Sequence, residues 1–219
     1  MTDSPPHVSR IDYAAMYASA FPSAEESRAF VRKVESVSSD DRPKRMLHQA
    51  ARLIWLSDRL AEGPARGQAA LQILFFLTAA EAVSKLHDQH RADQESRSYV
   101  HRFFTDLCET RHRDRLAKAF IAHYKGTDVH GSVFRRLDPL TVCQAIDLLY
   151  DVRCDVVHEG RYLSFELAQR SADYYCDVVT PPPQNGPAKF QGITTNLTAE
   201  ELRQIILEGT VAACRGLLS

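Results

Sequence analysis

The chain has 219 residues, of which 44% are hydrophobic and 25% charged, and its 27 basic and 28 acidic side chains leave a net charge of −1. That length supports a sizeable core, in one domain with extensions or two small ones. The near-neutral charge excludes a general pull toward nucleic acid or anionic membrane, and five scattered cysteines, none at metal-ligand spacing, read as reduced thiols rather than a disulfide framework.

The opening residues MTDSPPHVSR carry no apolar run of signal-peptide type, and no uncharged apolar stretch reaches the length of a membrane span. The expected setting is therefore the cytoplasm, with no membrane partner. Residues 1–24, with Pro5, Pro6 and Pro22, read as a loose lead-in holding one short helix near Tyr13. SAEESRAFVRKVES predicts a helix with Ser23 as N-cap and acids in the first turn. SSDDRP interrupts it, and Pro43 suits the first turn of the next helix, which runs through MLHQAARLIWLSDRL to EGPARG. Residues 65–89 give the strongest helical signal. They are apolar almost all round from Ala69 to Leu86, as in a helix covered on most sides, and Glu81 is the exception. Amphipathic helices are expected around 96–110 and 113–124, then a loop, KGTDVHGSVFRRLDP, then helices at 139–158 and 162–179. TPPPQNGP reads as a linker. The capping-box pattern of Thr198 and Glu201 starts a last helix ending near Gly216. With sparse glycine and little strand-type alternation, these elements predict an all-α antiparallel helical bundle. Residues 1–62 would be an N-terminal helical extension, 63–179 the bundle, and 180–219 a proline linker with a C-terminal helix.

Charge is unevenly spread. Residues 91–136 hold ten basic and six acidic side chains, plus His101, His112, His123 and His130. Arg111, Arg113, Arg115 and Lys118 form a basic cluster suited to guiding RNA phosphates, although a solvated helix face is the simpler account. His87 and His90 with Asp88 have the spacing of metal ligands, but lack a further ligand nearby. No Gly-rich phosphate loop or nucleophile elbow is present, and no metal or cofactor is expected.

The segment YDVRCDVVHEG carries the most specific chemistry. The helical neighbours of Arg153 at three and four residues are Leu149, Tyr150, Val156 and Val157, all apolar at the contact face. Its guanidinium thus needs an anion from outside its helix, because burial without one is costly. Three sources are open: Glu81 of the central helix, a carboxylate of another subunit, or a phosphate. His158 lies at the helix C-terminus just before Gly160, where the dipole favours a cation. Five residues of α-helix rotate by roughly 140°, so Arg153 and His158 meet only through a bend at the helix end or through a second copy. A two-fold homodimer supplies the latter, each histidine approaching the other chain's arginine in a composite site at the interface.

LYDVRCDVVHEG resembles the Arg-x4-6-His signature of the HEPN superfamily, in particular its Apea-like branch. The likeness extends to LQILFFLTAAEAVSKL and LSFELAQRSADYYCDVV, and so covers roughly residues 65–179. It implies an all-α bundle, usually homodimeric, and in many members a metal-independent endoribonuclease used in toxin–antitoxin modules or antiphage defence. By that resemblance Arg153 holds the scissile phosphate and His158 acts as general base or acid, with Glu81, Tyr150, Cys154 and Asp155 in support. An antitoxin or a nucleotidyltransferase is the kind of protein partner implied. Active members often carry Asn, Asp or His directly after the arginine. This chain has Cys154 there, and its nearest acid, Asp155, is one position late. Other members are non-catalytic modules for dimerisation, protein interaction or nucleotide binding.

Overall fold

Helix starts follow the caps written into the sequence. The structure, a computed structural model, describes residues 11–62, 67–89, 95–127, 132–161, 165–168, 174–176 and 189–218. Asp12 caps the short α1 (Tyr13–Met16), which runs into a 3-10 turn at Ala18–Ala20. The Ser23 hydroxyl accepts from the Glu26 amide to start α2 (Ala24–Ser36), and Pro43 sits in the first turn of α3 (Arg42–Leu60). After α4 (Gln68–His87), α5 (Ser96–Arg102) continues as a π turn over Phe103–Leu107, followed by α6 (Thr110–Ala119). A capping box between Thr141 and Gln144 opens α7 (Val142–Cys154), and a second π turn, Asp155–Glu159, extends it. The expected box between Thr198 and Glu201 is formed at the start of α8 (Ala199–Leu218).

Helices α3, α4 and α8 pack on one another, and α4 also meets α5 and α7. Ala70, Ile73, Leu77, Ala79, Ala80 and Val83 of α4 are fully enclosed, between Met46, Leu47, Ala50 and Ile54 of α3 and Ile206 and Leu207 of α8. By length and apolarity α4 passes for a membrane span, but most of it is buried inside the protein. One hydrophobic core draws on residues from Tyr17 to Cys214. The segments expected to be N- and C-terminal additions therefore form walls of the same core as residues 63–179. Arg203 of α8 ties them further, with Nε 3.0 Å from an Asp58 carboxylate oxygen of α3.

The fold is mostly helical, broadly as expected of an all-α chain, with one small sheet added. Its β-strands form an antiparallel sheet of order β2-β1-β4-β3: β1 (Phe120–Thr127), β2 (Val133–Pro139), β3 (Tyr174–Cys176) and β4 (Lys189–Thr195). The helix expected over 113–124 ends at Ala119, where the side chains change to period-two alternation. Phe120, Ala122 and Tyr124 are buried, whereas Ile121 and Lys125 are exposed. The segment KGTDVHGSVFRRLDP, expected as a loop, supplies the end of β1 and all of β2. The helix expected at 162–179 is absent where that stretch is described: residues 165–168 are irregular and 174–176 pair with β4. β1 and β3 take their deciding hydrogen bonds from β4, further along the chain, and β2 takes its own from β1 across a hairpin, so no helical periodicity contains them. The expected linker TPPPQNGP lies outside the described residues.

Candidate functional site

Helix α7 turns Ala145, Ile146, Leu149 and Val152 into the core and presents Asp147, Tyr150, Asp151 and Arg153 to α4 and α5. The anion that Arg153 requires is Glu81, 72 residues away on α4: Arg153 Nη2 lies 3.0 Å from Glu81 Oε2. The other carboxylate oxygen, Oε1, accepts from Lys85 at 2.5 Å and from the Ser96 hydroxyl at 2.7 Å. Both oxygens are thus engaged, each by different donors. Burial pushes the Glu81 carboxyl up, but the Lys85 and Ser96 hydrogen bonds and the Arg153 and Lys85 charges outweigh it and hold it below the ordinary glutamate range.

Arg153 is less completely served than Glu81. Among the described residues its Nη1 reaches only the Tyr150 hydroxyl, at 3.4 Å, and its Nε is buried with no hydrogen-bond partner. The Tyr150 ring lies 5.2 Å from the Arg153 guanidinium and 4.7 Å from that of Arg97. Burial, together with Cys154 and Glu81, raises the Tyr150 hydroxyl above the ordinary tyrosine range, against the opposing arginine charges. Arg97 in turn bridges Asp147 at 3.0 Å and Asp151 at 2.6 Å, and His101 joins Asp147 at 2.9 Å. A continuous polar network therefore runs from Lys85 through Glu81, Arg153, Tyr150 and Arg97 to His101.

The helix end carrying His158 departs from α geometry. Gly160 N–H donates to the Asp155 carbonyl, closing the π turn, and Gly160 stops the helix in the left-handed region at φ +63. A π turn holds more residues than an α turn. It therefore rotates the chain less between Arg153 and His158 than the roughly 140° of a regular α-helix. His158 is exposed, Asp155 and Cys154 are half-buried, and among the described residues His158 has no hydrogen-bond partner.

The basic cluster of α6 is largely engaged within the protein. Arg111 pairs with Glu109 and Glu208, Arg113 donates to the Thr105 carbonyl and the Thr110 hydroxyl, and Arg115 grips Glu201 and Asn196. Lys118 is exposed. These contacts fasten α6 to α8 and to the turn before it, and none joins the cluster to Arg153. His87 pairs with Asp88 at 3.3 Å, and His90 lies outside the described residues. Among the described residues, no group of three or more His, Cys, Asp or Glu side chains is arranged to hold a metal ion.

Sequence reasoning missed Arg97, His101, Asp147 and Asp151. Their signal was available in part: Asp147 and Asp151 stand four apart on α7, as do Glu81 and Lys85 on α4. The class defined by this fold and site is a mostly helical protein with a small antiparallel sheet and a buried glutamate paired to a half-buried arginine, near an exposed helix-end histidine. Neither protein-family models, nor curated proteins, nor solved structures give a match to the chain.

Proposed function

We propose that the protein is a metal-independent endoribonuclease of HEPN type, acting in the cytoplasm as a homodimer. The observation that carries this reading is the unfilled side of Arg153. Among the described residues its Nε is buried without a partner and its Nη1 has only one long contact, so a half-buried cation still has donors to give. Leaving such donors unpaired costs about 1–3 kcal/mol, and a phosphate oxygen is an acceptor that fits a planar guanidinium edge. His158 supplies the second requirement, a ring open to solvent at the end of the same helix.

In this mechanism His158 takes the proton of a ribose 2′-hydroxyl, and the 2′ oxygen attacks the adjacent phosphorus. The bond to the 5′ oxygen breaks, leaving a 2′,3′-cyclic phosphate and a 5′-hydroxyl. Arg153 neutralises charge building on the non-bridging oxygens, while Glu81, held by Lys85 and Ser96, keeps the guanidinium in place. Cys154 and Asp155 follow Arg153 on the chain, and the thiol is a poor hydrogen-bonding helper.

A second reading is favoured by a different observation. Arg153 already has a carboxylate partner, and its side chain is only 17% exposed. On this reading the pair is structural and the chain is a non-catalytic module that binds a protein or a nucleotide. The two are separated by incubating purified protein with RNA in EDTA and analysing the ends formed. Cleavage to cyclic phosphates that is lost in both His158→Ala and Arg153→Lys, with unchanged circular dichroism, supports the enzyme. Cleavage that persists in both variants, or none in the parent chain, removes it.

A further inference from the structure

Among the described residues strand β2 ends the sheet, and its outer edge carries a self-complementary sequence. The Leu140 amide donates to the Phe120 carbonyl at 3.0 Å, which fixes the ladder phase between β1 and β2. The even-numbered residues of β2 therefore bond to β1, and the N–H and C=O groups of Val133, Arg135 and Leu137 point away from the sheet. On the solvent-facing side around that edge stand three exposed apolar side chains, Val133 at 64%, Leu137 at 60% and Ile121 at 37%, with Lys125 and Arg135 exposed between them. An open edge with exposed apolar side chains is a template for another strand.

The residue order selects which strand. When two copies of β2 pair antiparallel about a two-fold axis normal to the sheet, each residue faces one on the same side of the pleat. Three such registers overlap five or more strand residues, centred on Arg135, Arg136 or Leu137. The first two set an arginine directly opposite its own copy. Centring on Leu137 instead brings the two leucines together on that solvent-facing side. On the other face it sets Arg136 opposite Asp138 of the second copy, and Asp138 opposite Arg136. Within one chain Arg136 Nε already lies 2.8 Å from Asp138, with both side chains about two-fifths exposed, so the four charges alternate in sign. Pro139, which lacks an N–H, faces Arg135 in this register and accepts its amide through the free carbonyl.

We infer that the occupant of this edge is a second copy of the chain, paired β2 to β2 about Leu137 in a continuous sheet through both molecules. The interface supplies the homodimer of the ribonuclease reading without resting on its chemistry. At 1.5 Å per residue, about 25 Å of α7 separates Thr141, just after β2, from His158, and each copy keeps its own Arg153 and His158.

The test uses the full chain in a Cys143→Ser background, because Cys143 is exposed. Light scattering across a dilution series should show a monomer–dimer equilibrium. Leu137→Pro removes an outward N–H that the β1 ladder does not use, and should leave a folded monomer. Leu137→Lys checks the same point without a backbone change. Arg136→Asp should weaken the dimer at least tenfold, and Arg136→Asp with Asp138→Arg should restore it. Directly opposed bonded residues have Cα atoms about 5.5 Å apart, within disulfide range, so Leu137→Cys should form a covalent dimer on oxidation and Val133→Cys should not. A monomer at every concentration overturns the proposal. So does a dimer that survives Leu137→Pro and Leu137→Lys, or one that cross-links through Val133→Cys and not Leu137→Cys. Loss of RNA cleavage in His158→Ala with the dimer intact, or the reverse, tells this proposal from the catalytic one.

Discussion

Replacing Glu81 by alanine removes the single carboxylate on which three donors converge. Lys85, 31% exposed, can turn to water at little cost, and the Ser96 hydroxyl loses one charged hydrogen bond. Arg153 is the expensive partner: it is 17% exposed, and its Nε is already buried without an acceptor. Breaking a buried ion pair by removing one member costs about 3–5 kcal/mol. Residual exposure of Arg153 lowers that, so a loss of about 2–4 kcal/mol is expected at pH 7, or roughly 4–16 °C in Tm for a domain of this size. Urea unfolding of the parent, Glu81→Ala, Arg153→Ala and the double variant closes a cycle in which the singles are not additive, with a coupling of about 1–3 kcal/mol. The pH dependence supplies a separate check. The Glu81 carboxyl is held below its unfolded value, so the unfolded chain binds its proton first as pH falls. The stabilisation from Glu81 is complete above the ordinary glutamate value of about 4.3 and disappears as pH drops through the lower folded value. Glu81→Gln should flatten that acid limb. A Glu81→Ala loss below about 0.5 kcal/mol, the size of an ordinary surface change, or a limb unchanged in Glu81→Gln, would refute the reasoning.

Other expectations follow from close contacts and caps. A Cβ at Gly209 of α8 would stand 2.5 Å from Phe103 Cζ and 2.8 Å from Cys108 Sγ, against a ring with no solvent exposure. Gly209→Ala should therefore destabilise by about 1–3 kcal/mol despite the roughly 1 kcal/mol helix-propensity gain; a raised Tm would show that the π turn yields freely. Burial pushes the Cys214 thiol up to about 12 and raises that of Cys108 as well. In a Cys176→Ser background a maleimide should thus label exposed Cys143 first, and early modification of Cys108 or Cys214 would contradict their burial. Thr141→Ala removes the hydroxyl that accepts from the Gln144 amide and should cost about 1 kcal/mol, measured by thermal unfolding, whereas Thr141→Ser should be nearly silent.

The sequence by itself determined the helices whose signals are local. Ser23, Pro43 and the Thr198–Glu201 box start helices where their side chains say they must, and the unbroken apolar surface of α4 could only belong to a covered helix. It also established that Arg153 needs an anion from beyond its own helix, because every neighbour one turn away is apolar. Which anion was a tertiary decision: a carboxylate and a phosphate satisfy a guanidinium equally, and only the packing of α4 against α7 brings Glu81 within 3.0 Å. The sheet was hidden for the same kind of reason. Phe120 to Lys125 carries a period-two pattern that overlaps the end of a helical one, and the choice falls to strand once β4, some seventy residues on, supplies backbone partners. Helix bonds reach four residues along the chain and leave their mark in periodicity. Ladder bonds, ion pairs between helices and the π turn beneath His158 depend on what stands opposite, which the folded chain alone decides.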